Sequence, residues 1–148
     1  MLPERKILPH GIPSWVEDGA EYFITICTEP KFVNQLCHAD IASAVHNSLD
    51  FFQRRGDLWL HLLVLMPDHL HAIMSFNRTV GMRKSVREFK KYTARKHGMM
   101  WQRDFFDHRL RRDESYNEKA HYIRMNPVRA GLCSSPEEWP YTWENRPW

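Results

Sequence analysis

The chain has 148 residues, 43% of them hydrophobic, with a formal charge of +3 and a pI near 8.8. That length suits one domain with its own core, and no window approaches the roughly 18 uninterrupted apolar residues of a membrane span. Cys27, Cys37 and Cys133 are odd in number and lack CxxC spacing, so they read as reduced thiols of a cytoplasmic protein, not as a disulfide or zinc framework.

Residues 1–20 are rich in Pro, Gly and charge and lack the apolar core of a signal peptide, so they are expected to form an irregular arm. Residues 21–27 are β-branched and aromatic and predict a strand. Residues 39–54 predict an amphipathic helix with Ile41, Val45, Leu49 and Phe52 as its apolar stripe, stopped by Gly56-Asp57. A strand over 58–65 follows, and Met66-Pro67-Asp68 links it tightly to another over 69–76. A second helix over 80–96 places Met82, Val86, Phe89 and Thr93 on one face and ends at His97-Gly98. Residues 102–110 read as a fourth strand. A helix over 114–125 closes the series, with Ser115 and Glu118 in a capping-box pattern. The order β-α-β-β-α-β is that of a ferredoxin-like split βαβ. The expected fold is therefore α+β: an antiparallel sheet, helices on one face, and an added C-terminal helix, in one domain over 1–148.

Three groups of residues carry chemistry. His69 and His71 flank Leu70 in a strand, where alternate side chains share a face. The two imidazoles either converge on a metal ion or phosphate, or form the polar side of a half-buried sheet. Asp68 either orients an imidazole or makes the turn. Arg83, Lys84, Arg87, Lys90, Lys91 and Arg95 give the second helix a positive stripe interrupted only by Glu88. Such a stripe either tracks a phosphate backbone or is a solvated face. Tyr122 and Asn126 are four residues apart, about 40° around a helix, and share a face. Tyr122 either packs in the core or acts as a phenol nucleophile beside a divalent ion, and Asn126 either caps a short helix or lends its amide oxygen to that ion.

Taken together, these residues resemble a known family. His69-Leu70-His71 is similar to the histidine-hydrophobe-histidine signature of HUH single-strand nucleases. The stretch from Trp101 to His108, followed by Tyr122 to Leu132, resembles the REP-associated tyrosine transposases. Phe89-Lys90-Lys91-Tyr92-Thr93-Ala94 and Glu138-Trp139-Pro140-Tyr141 fit the same family, so the resemblance runs from about residue 22 to 141. It implies a single HUH transposase domain in which His69, His71 and Asn126 hold Mg²⁺ or Mn²⁺ and Tyr122 is the nucleophile on the added helix. It further implies cleavage and rejoining of single-stranded, hairpin-forming palindromic DNA through a covalent 5′-phosphotyrosine. The basic residues Arg83 to Arg95 would bind that DNA. A cytoplasmic, nucleoid-associated monomer or homodimer is expected, with no membrane contact. Two rivals stand beside this reading: a catalytically silent binder of hairpin DNA, and a metal-dependent hydrolase of a small substrate.

Overall fold

The computed structural model describes residues 7–8, 12–111 and 116–145. Chain order begins with a short ribbon, β1 (Ile7–Leu8) and β2 (Ile12–Pro13), then α1 (Ser14–Asp18). Over 7–8 and 12–20 the expectation of an irregular arm is thus corrected, and residues 1–6 and 9–11 lie outside the described residues. Pro and Gly break long periodicity but still permit a two-residue hairpin and a single helical turn. Val16 of α1 is buried against Trp59, an apolar contact far away in sequence.

The main sheet contains β3 (Tyr22–Cys27), β4 (Leu58–Met66), β5 (His69–Phe76), β6 (Phe106–Arg109) and β7 (Thr142–Glu144), in the order β6-β3-β5-β4-β7. Every neighbouring pair is antiparallel. Without β7 this is the strand order of the ferredoxin-like fold. β7 adds a fifth strand that the sequence pattern did not suggest, because three residues are too few to show alternation. β6 is shorter than the expected 102–110. Its predecessors form a loop in which Trp101 bridges Thr28 and the carbonyls of Gln102 and Arg103 accept from Lys90 Nζ, at 2.6 and 2.8 Å.

The helices α2 (Ala39–Arg55) and α3 (Met82–His97) cover one face of the sheet. Both end where glycine takes a left-handed backbone, Gly56 at φ 90° and Gly98 at φ 69°, and each glycine N–H turns back to the last helical turn. Val86, Phe89 and Thr93 are buried as the periodicity predicts, and Met82 packs at the edge of the same cluster. Phe89 is fully buried there, so its truncation to Ala would cost about 3–5 kcal/mol.

Along β5, Leu70, Ala72, Met74 and Phe76 face α2 and α3, which turns His69, His71 and Ile73 to the other side. On that side lies α4 (Tyr116–Arg124), seated through Tyr116, Ala120 and Ile123 on Phe23, Leu62, Val64 and Ile73. Helices therefore cover both faces of β4, and all nine of its residues are buried. A register shift between Leu60 and Leu62 lets Leu58 and Leu60 and then Leu63 and Leu65 all face α2 and α3. The helix expected over 114–125 is present as α4, with residues 114 and 115 outside the described residues. α4 stops at Arg124, and α5 (Asn126–Arg129) opens with Asn126, so Asn126 is not on the helix of Tyr122. Pro127 lacks the N–H that would continue the first helix. Ser115 lies outside the described residues.

Candidate active site

His69 and His71 stand side by side on β5, ring centroids 4.7 Å apart and planes at 76°. Each ring is held through Nδ1. The His69 Nδ1–H donates to Asp68 Oδ1 at 2.8 Å. His71 Nδ1 lies 2.9 Å from Thr25 Oγ1, its directly paired neighbour on β3. With Nδ1–H donating to that hydroxyl, both Nε2 lone pairs are left for a ligand. Carboxylate or hydroxyl partners of this type fix the tautomer and orientation of metal-binding histidines. The ring of Phe23 stacks on His71 from the other side, centroids 5.4 Å apart. Burial, the neighbouring His69 and Arg129 together hold the His71 ring down to about 3, so it is neutral at physiological pH, as a ligand must be.

Asp68 fills both roles the sequence left open. It forms the turn after Pro67, and its backbone carbonyl accepts from Thr28 N–H and Oγ1–H, each at 2.9 Å. Burial pushes its carboxyl up, but hydrogen bonds from His69 and the Phe32 N–H outweigh this and leave it below the usual carboxylate range. It is thus a charged acceptor for the imidazole.

Tyr122 is not a core residue. It is 54% exposed on the outer side of α4, while Ile123 takes the buried position. Two cations attend its ring. Arg129 Cζ lies 4.3 Å from the centroid, and Lys119 Nζ lies 5.8 Å from it and 5.5 Å from the Phe23 ring. Arg129 also donates to the Tyr122 carbonyl at 2.5 Å and to Asn126 Oδ1 at 3.3 Å. Phe23, which stacks on His71 and lies beneath Lys119 of α4, thus links the tyrosine helix to the histidine pair, and the Arg129 charge is felt at His71. The Asn126 amide oxygen faces the guanidinium here, and Met125, not Asn126, is the cap of α5. Among the described residues no three His, Cys, Asp or Glu side chains converge as a metal set. A cation at the two imidazoles would need oxygen donors of another kind. An amide, a phosphate and water qualify, and with two imidazole nitrogens in the set it fits Mn²⁺ somewhat better than the harder Mg²⁺.

Thr25, Lys119 and Arg129 escaped the sequence reading. Thr25 shares strand parity with Phe23 and Cys27, but its opposition to His71 depends on cross-strand register. Arg129 is one helical turn after Asn126, a spacing that could have drawn attention to it.

The basic residues lie on the other face of the sheet. Arg83, Arg87 and Lys91 line a groove of about 1060 Å³ between α3 and the segment 99–107, opposite Arg103, with Glu29, Asp104 and Asp107 adding acid. Lys90 lines it too, with its ammonium turned to the two carbonyls; burial lowers its pKa and Asp104 partly offsets this. Arg95 belongs to a neighbouring groove with Lys91, Lys96 and Tyr92, and Lys84 is exposed outside both. Glu88, the one acid in the run, pairs with Arg55 at 2.8 Å.

No helix of the described residues is long and apolar enough to cross a membrane. The chain is similar to the REP-associated tyrosine transposase of Escherichia coli K12, at 29% identity over 82 residues, which cover 53% of this chain and 50% of that one. A candidate member of the same group from Haemophilus influenzae is 27% identical over 97 residues, 54% of this chain and 55% of the relative. The chain thus spans about half the length of the curated relatives it matches. A solved REP-associated tyrosine transposase bound to a REP hairpin shares the fold, with a TM-score of 0.74 at 23% identity, covering 84% of this chain and 76% of that one. The model of the family described as Transposase IS200 like matches residues 20–125, from β3 through the tyrosine helix, so the chain belongs to the IS200-like transposase family.

Proposed function

We propose that the protein is a metal-dependent single-strand DNA endonuclease and strand transferase that acts on hairpin DNA. The observation that carries this is the placement, on one face of the sheet and joined through Phe23 and Lys119, of two imidazoles whose Nε2 atoms can face a ligand and an exposed tyrosine flanked by two cations. His69 and His71 would hold Mg²⁺ or Mn²⁺, joined by Asn126 once its oxygen leaves Arg129. A bound divalent cation supplies Lewis-acid polarisation of the scissile phosphate.

The chain's own residues do the rest. Asp68 and Thr25 keep both rings in the ligating tautomer. The Tyr122 hydroxyl oxygen attacks phosphorus and the bond to the 3′ oxygen breaks, leaving a 5′-phosphotyrosine and a free 3′-hydroxyl. The ester energy stays in the covalent link, so another 3′-hydroxyl can reverse the step and join strands. Lys119 and Arg129 put positive charge where the phosphate must approach Tyr122. The groove along α3 offers a track for the hairpin stem, and the solved relative's REP hairpin supports that class of substrate.

The test is incubation of labelled hairpin DNA bearing a single-stranded flank with protein and Mn²⁺, followed by denaturing electrophoresis. The unaltered protein should give a protein-linked DNA band. Tyr122→Phe should give none, yet bind the same DNA. Absence of the band from unaltered protein, or its persistence in Tyr122→Phe, would reject the assignment.

A further inference from the structure

Two large aromatic rings lie open to solvent beside the histidine pair, on different sides of it. Phe32 is 93% exposed, in the loop after β3. Its backbone has a φ of 66°, a left-handed conformation that a bulky L-residue rarely adopts. Its N–H donates to Asp68 Oδ2 at 2.9 Å, and the other oxygen of that carboxylate takes the His69 proton. The loop is tied down further, because the Gln35 and Leu36 N–H groups donate to the Pro67 carbonyl at 2.9 and 3.2 Å. The backbone of Phe32 is therefore held one carboxylate away from an imidazole, with its ring left open to solvent.

Phe106 is 56% exposed on β6. It is paired with Thr25, so it shares the histidine side of the sheet. Its ring meets Phe23 edge-on at 6.0 Å, and Phe23 is the ring that stacks on His71. The other exposed phenylalanine, Phe51, is stacked on Tyr92 on the opposite face.

We propose that Phe32 and Phe106 form a platform that stacks unpaired nucleobases on the two sides of the phosphate held at His69 and His71. This rests on the cleavage reading given above. A phosphate taken at the imidazoles would have one neighbouring nucleotide on the side of the Phe32 loop, linked to His69 through Asp68, and the other on the side of Phe106, linked to His71 through Phe23. Stacking on an exposed ring is tolerant of base identity and favours a strand that is not paired. Holding the Phe32 backbone and the Phe106 ring beforehand reduces the ordering cost of binding. Phe106 also stands at the sheet edge that a strand must cross to pass from the α3 groove to the histidines.

The experiment uses hairpin DNA with 2-aminopurine placed in turn on each side of the cleavage phosphate. Binding is measured with Mn²⁺ in the Tyr122→Phe background, which keeps the strand uncut. Stacking should quench the probe at both positions. Phe32→Ala should relieve the quench at one position and Phe106→Ala at the other, and Trp at either site should restore it. Each Ala variant should weaken binding of the flanked hairpin about 5-fold or more, the lower end of base–aromatic stacking, and leave a flankless hairpin unaffected. Phe106→Leu keeps the apolar contact with Phe23 but lacks a flat ring, so it should behave as Phe106→Ala does. Quenching that survives both Ala variants on DNA still bound would overturn the platform, and relief by only one of them would overturn the two-ring form. An unaltered protein that shows the quenching pattern but forms no covalent band would sink the cleavage reading and leave the platform standing.

Discussion

His71 refuses a proton that the unfolded chain accepts. Burial, His69 and Arg129 hold its ring down to about 3 against an ordinary value of 6.5. Between those values the unfolded chain binds one proton more than the native state. Its contribution to stability is complete above pH 6.5 and drains away as pH falls toward 3, at up to about 1.4 kcal/mol per pH unit. Urea titrations in chelator should show this acid slope, and His71→Gln should flatten it; an unchanged slope would mean that other groups set it. Asp68 offers a second measurement. Asp68→Asn can present an N–H to His69 Nδ1, which forces the proton onto Nε2 and blocks ligation. Affinity for Mn²⁺ should drop about 10- to 100-fold, the usual cost of losing such a partner, and calorimetry reads it directly. Unaltered affinity would deny Asp68 its orienting role. At this scale much was legible. A period-two spacing marks His69 and His71, and adjacency marks Asp68. Thr25 was hidden because strand register arises from contacts distant in sequence, and Arg129 because its part depends on its guanidinium turning back onto the Tyr122 ring and carbonyl.

The tyrosine helix is pinned by an element that is almost invisible in the sequence. Glu144, the last residue of β7, accepts from the Tyr116 hydroxyl at 2.9 Å at one end of α4 and from Arg124 at the other. β7 is in turn laced to β4. The Trp139 Nε1–H donates to the Leu65 carbonyl, the Leu65 N–H to Tyr141 and the Asn145 N–H to His61. A helix of nine residues is marginal alone, so this lacing and the buried triad Tyr116, Ala120 and Ile123 hold Tyr122 over the sheet. Glu144→Ala should cost about 1–2 kcal/mol, toward the lower end for charged hydrogen bonds because the pair is partly exposed. Amide exchange should quicken across α4 more than in α3, and covalent-adduct formation should slow without loss of DNA affinity. Exchange in α4 at the unaltered rate would show that apolar contact suffices. The long elements α2, β4, β5 and α3 were readable because each repeats its pattern over several turns or alternations. β7, α1 and the two-residue ribbon repeat nothing and exist only through what they pack against.

The basic groove of α3 and the histidine pair occupy opposite faces of the sheet. The sequence suggested a stem lying along the basic helix with a flexible segment reaching the metal site, and the sheet now stands between the two. The segment 99–107 that walls the α3 groove runs into β6, so DNA bound along Arg83, Arg87 and Lys91, as proposed, would have its shortest way to His69 and His71 around that edge. A strand making this turn within the width of a small domain cannot be a duplex, whose persistence length is about 150 bp. A perfect duplex should therefore engage the groove alone, while a hairpin with an unpaired flank gains the histidine face as well and binds more tightly at equal length. The groove contribution is electrostatic, and each phosphate contact adds about 0.9 to the slope of log affinity against log salt. Arg87→Glu with Lys91→Glu should lower that slope by about 2. It should weaken duplex and hairpin by similar factors and leave Mn²⁺ affinity at the histidines intact, since those charges sit across the sheet. Titrations at several salt concentrations would decide the matter. An unchanged slope would remove the groove from the DNA path, and equal affinity for duplex and flanked hairpin would remove the turn around β6.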